Sequence, residues 1–215
     1  MAGLGYEYDP WENVIRPLPV SENGLILELE PRKSRIFIFD PQATAEEISC
    51  VEQRNCMSKE KSEQLSFSGV WTRSICKSIH YPDFGEKKQV CIPDCLAQEE
   101  PDFSGFVRYE NEFETDGTGI IWAEITDAHE SVGIFVNGVS MGIQIVSVYR
   151  FDLTPAVKPG KNRIQIEVAT TLEREMAKFP DTYGNTKEAE ALSGITGEVR
   201  IWQRSFENVT SLRCS

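Results

Sequence analysis

The stretch Val132-Gly133-Ile134-Phe135-Val136-Asn137-Gly138-Val139 decides the fold of this chain. An apolar run leads into Asn-Gly, the dipeptide that supplies the positive φ of a type I′ turn, and a further strand-like run follows. Residues 132–136 and 139–148 therefore predict a β-hairpin. Outward from it the pattern persists, with further candidate strands at 68–76, 106–114, 119–126, 163–169 and 197–203. In 106–114, Val107, Tyr109 and Phe113 share one face. Arg108, Glu110, Glu112 and Glu114 share the other and read as a solvated strand face. Ile164, Ile166 and Val168 alternate with Gln165 and Glu167 in the same way. Period-two patterning with one wet face is the mark of antiparallel sheets. Lys158-Pro159-Gly160-Lys161-Asn162 is a second turn. Short strands at regular spacing, with no βαβ rhythm, predict an all-β antiparallel sandwich or jelly roll. One helical insert is predicted at 171–179, where Leu172, Met176 and Phe179 share a face.

The chain has 215 residues, enough for one large domain or a domain with a smaller partner. Its net charge of -12 argues against a phosphate backbone, which needs a basic face, and against an anionic membrane surface. A neutral ligand or a cationic partner stays open. No apolar run reaches the roughly 20 residues of a spanning helix. The N-terminal sequence has no basic start and no apolar core, so it does not read as a signal peptide. The expectation is a cytoplasmic chain if it is complete, and a secreted or cell-surface one if it is a piece of something larger.

Residues 1–41 open with aromatic, Pro-rich sequence and continue into two strand-like runs, 25–30 and 35–39, around the turn Pro31-Arg32-Lys33-Ser34. A lone hairpin is marginal in water. This segment is therefore expected to pack on something else or to end a preceding domain. Thr44 and Glu47 fit a capping box, so residues 42–65 read as a linker or short helix. Residues 66–215 form the main β domain.

The ordered series Phe103-Ser104-Gly105, Arg108-Tyr109-Glu110, Ile134-Phe135-Val136-Asn137-Gly138, Met141-Gly142, Tyr149-Arg150-Phe151-Asp152-Leu153-Thr154, Lys158-Pro159-Gly160-Lys161-Asn162 and Ser193-Gly194-Ile195-Thr196-Gly197-Glu198-Val199 resembles the sugar-binding domain of family 2 glycoside hydrolases. That domain is a galactose-binding-like jelly roll. The resemblance covers about a hundred residues and implies a carbohydrate-binding or accessory module of a glycoside-hydrolase-like protein. It implies a neutral oligosaccharide or polysaccharide and a neighbouring catalytic domain as partners. The two-carboxylate barrel of those enzymes has no counterpart in the sequence. Two alternatives remain: a structural brace that binds nothing, and a part of an active glycosidase that lends one residue to a subsite.

Under the resemblance, Asn137 is the residue that would reach a neighbouring sugar site; the hairpin itself also demands Asn-Gly there. Tyr149, Arg150 and Asp152 bring an aromatic ring together with polar groups, which is how proteins hold sugars. The favoured alternative is that Tyr149 and Phe151 pack the sandwich while Arg150 and Asp152 decorate its edge. Trp202 lies on the face opposite Val199 and Ile201 in its strand and is a candidate platform if exposed, although the usual burial of tryptophan favours a core place for it. Trp122, flanked by Ile121 and Ala123, reads as core, as does Trp71.

Other motifs carry less. Cysteines 50, 56, 76, 91, 95 and 214 read as free thiols. Cys91-x3-Cys95 lacks the second tight pair of a zinc site. His80 and His129 are the only histidines and make no triad pattern. No cofactor is expected, although jelly-roll loops can hold a structural calcium ion. Asn208-Val209-Thr210 matches a glycosylation sequon.

Overall fold

A strand whose alternate residues are apolar can bury one face only, so two such sheets close on each other. The computed structural model of the chain describes residues 3–10, 13–20, 24, 27, 29, 34–40, 60–185 and 188–206. It divides into two units, residues 62–205 and residues 1–61 with 206–215. The capping-box helix predicted around Thr44, Cys50, Cys56, Cys214 and the sequon at Asn208 lie outside the described residues.

The larger unit is an antiparallel β-sandwich. Its six-stranded sheet has the order β10-β9-β12-β7-β5-β6. These strands are β5 (Trp71–Cys76), β6 (Lys88–Val90), β7 (Phe106–Thr115), β9 (Ser131–Val136), β10 (Val139–Gln144) and β12 (Gly160–Ala169). The four-stranded sheet has the order β11-β8-β13-β4. It is made of β4 (Glu60–Leu65), β8 (Ile120–Ile125), β11 (Tyr149–Asp152) and β13 (Val199–Phe206). From β7 onward the chain passes between the sheets: β8 in one, β9 and β10 in the other, then β11, β12 and β13 by turns.

The registers align the apolar residues of neighbouring strands. Ile166 lies opposite Tyr109 on one side and Ile134 on the other, and Val168 lies opposite Val107 and Val132. These residues and Ile121, Ala123, Ile125, Phe151 and Ile201 of the second sheet are buried in one core. Asn137 and Gly138 both take positive φ and form the β9–β10 turn. The 139–148 run stops as a strand at Gln144, and Tyr149 starts β11 in the other sheet. The side chain of Gln144 holds that crossing by bonding the backbone of Arg150, whose N–H donates to Oε1 at 3.0 Å. The insert at 171–179 is a single helical turn, α1 (Glu173–Met176), and Leu172, Met176 and Phe179 are exposed.

The reading of Glu110 as solvated is corrected. Glu110 and Glu167 are buried because residues 77–88 cross the outer face of the six-stranded sheet. Gly85 N–H donates to the Ile75 carbonyl at 3.0 Å, which fastens this crossing segment to β5. Tyr81 packs on Phe106 with ring centroids 4.5 Å apart, and the Arg108 guanidinium lies 3.7 Å over the Phe84 ring. Under this cover Glu167 receives Arg108 at 2.7 Å and the Tyr81 hydroxyl at 3.0 Å. Glu110 receives Lys87 at 2.5 Å, and Arg163 as well.

In the smaller unit β1 (Gly3–Asp9) is flanked by β2 (Val14–Val20) and β3 (Ile36–Asp40). The predicted strand at 35–39 forms as β3, but it pairs with β1, with Tyr8 opposite Ile36. Of the other predicted arm, residues 25, 26, 28 and 30 lie outside the described residues. β2 contains Pro17 and Pro19, which it tolerates because it is an edge strand, where an N–H can be spared. Arg35 bridges Glu7 at 2.8 Å and the buried Asp9 at 2.9 Å. Among the described residues no helix is long and apolar enough to cross a membrane.

Candidate functional site on the four-stranded sheet

β8, β11 and β13 bring three of the five candidate residues to one face. Their registers make two parallel rows: Asp152, Trp122, Trp202 and, next to it, Arg150, Glu124, Arg200. Tyr149 and Phe151 point inward, so Arg150 and Asp152 point out, and both are exposed. Trp122 belongs to this face too, which corrects its reading as core. Its neighbours Ile121 and Ala123 are both buried in the core, and the two-residue period then forces Trp122 to the opposite side. The indoles of Trp122 and Trp202 lie 6.3 Å apart and within 17° of parallel, a directly opposed cross-strand pair. The Arg204 guanidinium sits 5.3 Å from the Trp122 ring centroid.

The second row is an ion-pair chain. Glu124 receives Arg150 Nε at 2.9 Å and Arg200 Nη1 at 3.5 Å. Arg200 Nε also donates to Glu198 at 2.9 Å. Asp152 accepts the Thr154 N–H at 2.9 Å, which shapes the turn after β11. The face thus combines two half-buried aromatic rings with guanidinium and carboxylate groups held in fixed positions. Such a surface can stack the apolar side of a sugar ring and bond its hydroxyls.

Two candidates lie elsewhere. The Tyr149 ring is buried in the core, with its hydroxyl 3.1 Å from the Ala128 carbonyl and 2.6 Å from that of Glu130. Asn137 uses its side chain within the domain. Nδ2 donates to the Ala156 carbonyl at 3.0 Å and to Asn162 Oδ1 at 2.8 Å, while Oδ1 accepts the Arg163 N–H at 3.1 Å. These bonds tie the β9–β10 turn to β12.

A polar cluster that the sequence reading missed lies at the edge of the six-stranded sheet. Arg73 is only 4% exposed. Its Nη1 reaches both Asp94 oxygens at 2.8 Å, and Nη2 reaches Glu99 at 2.7 Å. Lys88 joins Glu99 at 2.5 Å, and the Tyr109 hydroxyl donates to Asp94 at 2.7 Å. Burial, with Asp94 beside it, pushes the Tyr109 phenol far above its ordinary pKa. The hydrogen bonds from Lys88 and Arg73 hold the Glu99 carboxyl below the usual range. Gly194 is needed here, because a Cβ would lie 2.4 Å from the Tyr109 oxygen and its φ is +94°. Clefts of about 380 Å³ flank Glu99, and Arg73, Lys88, Asp94 and Glu99 of their lining are already engaged in this network. An arginine inside the run SGVWTRSIC was the sole sequence signal for this network.

Cys76, Cys91 and Cys95 are free thiols. Among the described residues no three His, Cys, Asp or Glu side chains gather as metal ligands.

No protein-family model matches the chain, and no curated protein matches it significantly. Solved structures do. A rhamnosidase from Novosphingobium sp. PP1Y aligns over 92% of this chain and 20% of its own, at 18% identity and a TM-score of 0.62. A β-glucuronidase from Ruminococcus gnavus, in complex with D-glucuronic acid, aligns over 67% of this chain and 29% of its own, at 16% identity and a TM-score of 0.51. The chain thus spans about a fifth of the rhamnosidase's length. At these identities the likeness is one of fold. The sandwich shares its fold with parts of these two glycosidase chains.

Proposed function

We propose that this chain is a carbohydrate-binding or accessory module of a glycoside-hydrolase-like protein, with the outer face of the four-stranded sheet as its binding surface. The observation that carries this reading is the Trp122–Trp202 pair, set beside Asp152 and the Arg150–Glu124–Arg200 row. Two near-parallel indoles offer apolar area to a pyranose ring, and the flanking charged groups offer hydrogen bonds to its hydroxyls. The ligand in this reading is a neutral oligosaccharide or polysaccharide, which fits a chain of net charge -12. The partner is a neighbouring catalytic domain of the same parent protein. Recognition of this kind involves no proton transfer, so the module adds local substrate concentration rather than chemistry.

The test is retention in gels cast with neutral polysaccharides, followed by a glycan array. Retarded migration, lost in Trp122→Ala and Trp202→Ala, supports the proposal. A negative result over diverse neutral glycans rejects it.

A second reading, a brace without ligand, draws on the half-buried packing of the two indoles against each other. A third gives Asn137 to a neighbouring subsite. The three internal bonds of its side chain make that reading testable by a split. In the parent protein Asn137→Ala should lower turnover beyond any loss of stability if the residue serves a subsite.

A further inference from the structure

The connection from β12 to β13, residues 170–198, is far longer than the two to six residues that usually join elements. Loops of this length in compact domains are commonly functional. This one is fastened at several points. Arg174 Nε donates to the Ala191 carbonyl at 2.8 Å, and Nη1 to that of Pro101 at 2.9 Å. Glu173 accepts the Glu190 N–H at 2.9 Å, and the Glu175 N–H donates to Ser104 Oγ at 3.1 Å. Asp181 accepts the N–H groups of Tyr183 and Asn185, each at 2.9 Å.

Glu173 and the Asp181–Asn185 turn, both held by these ties, help line a cavity of about 320 Å³. One wall is apolar: Met176, Phe179 and Pro180. Met176 is 58% exposed and Phe179 60%, so neither ring nor thioether is spent on the core. Asp181, Asn185 and Glu188 add hydrogen-bonding groups to the lining. Single large apolar residues on a surface need no explanation, but here they line one concave site with polar groups beside them. The volume sits at the lower end of small-ligand cavities.

We infer that this insert holds a second binding site, for one neutral pyranose unit, separate from the outer face of the four-stranded sheet. Its ligand class rests on the carbohydrate reading above; its location rests on the cavity alone. The C–H face of the sugar lies on Phe179, and its hydroxyls meet the Asp181, Asn185 and Glu188 side chains. The described lining carries three carboxylates, Glu173, Asp181 and Glu188, so a uronate meets like charge there.

The test is an amide-resolved NMR titration of the full chain with methyl β-D-glucopyranoside, methyl β-D-galactopyranoside, methyl α-L-rhamnopyranoside and, as the charged probe, D-glucuronate. At least one neutral glycoside should shift amides of 173–188. Phe179→Ala should weaken that binding roughly tenfold or more, and Trp202→Ala should leave it within about twofold. D-Glucuronate should bind at least about tenfold more weakly. Because Phe179 is largely exposed, its variant keeps the fold, which the same spectra verify. Shifts confined to β8, β11 and β13 would overturn this inference and leave the sheet-face reading standing. Shifts confined to the insert would support it and remove the sheet face. No shift from any probe overturns the second site, while the polysaccharide gels judge the module reading separately. Equal binding of glucuronate overturns the ligand class.

Discussion

On the outer face of the six-stranded sheet, Glu110 and Glu167 are buried beneath residues 77–88, and each has a basic partner. On the outer face of the four-stranded sheet, Trp122 and Trp202 lie half-buried and stack on each other. Both faces arise from strands that alternate apolar and polar residues. Their local sequences would rank them the other way, with carboxylates for water and tryptophans for the core. The difference teaches that the wet side of a two-residue pattern is wet only until another segment crosses it. A covered face must satisfy its charges internally, because an unpaired buried carboxylate is costly. An uncovered face is free to use its side chains on a ligand.

The largest effect should come from unpairing the covered face. Glu110→Ala removes the shared partner of Lys87 and Arg163, and an unfolding free energy lower by about 1.5–3 kcal/mol is expected in urea titrations. Sugar retention should not change. Unchanged stability would mean that residues 77–88 do not cover this face in solution.

The same group gives a pH dependence. Burial acts to raise the Glu110 pKa, but hydrogen bonds from Lys87 and Arg163 outweigh it and hold the carboxyl below its ordinary value. A depressed folded pKa means stability that is complete above the unfolded value of about 4.3 and lost as pH falls through the folded one. Urea midpoints should therefore drop more steeply below about pH 4 in the parent than in Glu110→Gln. Parallel curves would remove Glu110 from the acid transition.

Next in size is the open face. Trp202→Ala should weaken neutral-polysaccharide retention about tenfold, equivalent to about 1.4 kcal/mol, while its stability changes less than that of Glu110→Ala. A large stability loss with retention intact would make the tryptophans packing residues and favour the brace.

The smallest effect is expected from Tyr81→Phe. It deletes the 3.0 Å bond to Glu167 from a ring that is 44% exposed. A loss of at most about 1 kcal/mol should appear in thermal unfolding. A larger loss would show that the covering segment depends on this bond rather than on its ring contacts and ion pairs.

Much of this architecture was readable in advance. Asn137-Gly138 announced its turn because few other dipeptides take two successive positive φ angles. The alternation in 106–114 and 163–169 announced strands with the correct inward residues. Local sequence places Trp122 too, since the inward pull of Ile121 and Ala123 outweighs the average burial of tryptophan. Other features had no local signal. β11 is four residues long, and β2 contains two prolines. Arg73, the Asp94–Glu99 segment and Tyr109 meet from three separate stretches of chain. Nothing near Tyr149 in sequence says that its hydroxyl ends at the Ala128 and Glu130 carbonyls.

By itself the sequence determined that this is an all-β antiparallel protein, where its central hairpin turns, and which residues of most strands point inward. Those are local properties: the two-residue period and the φ preference of Asn-Gly act within a few residues. Only the tertiary structure decided which outward faces stay open. That choice gathered Arg150, Asp152 and Trp202 into one surface, sent Tyr149 into the core and put Glu110 under cover. It depends on which distant segments cross which sheet, and hence on where buried charge can find a partner.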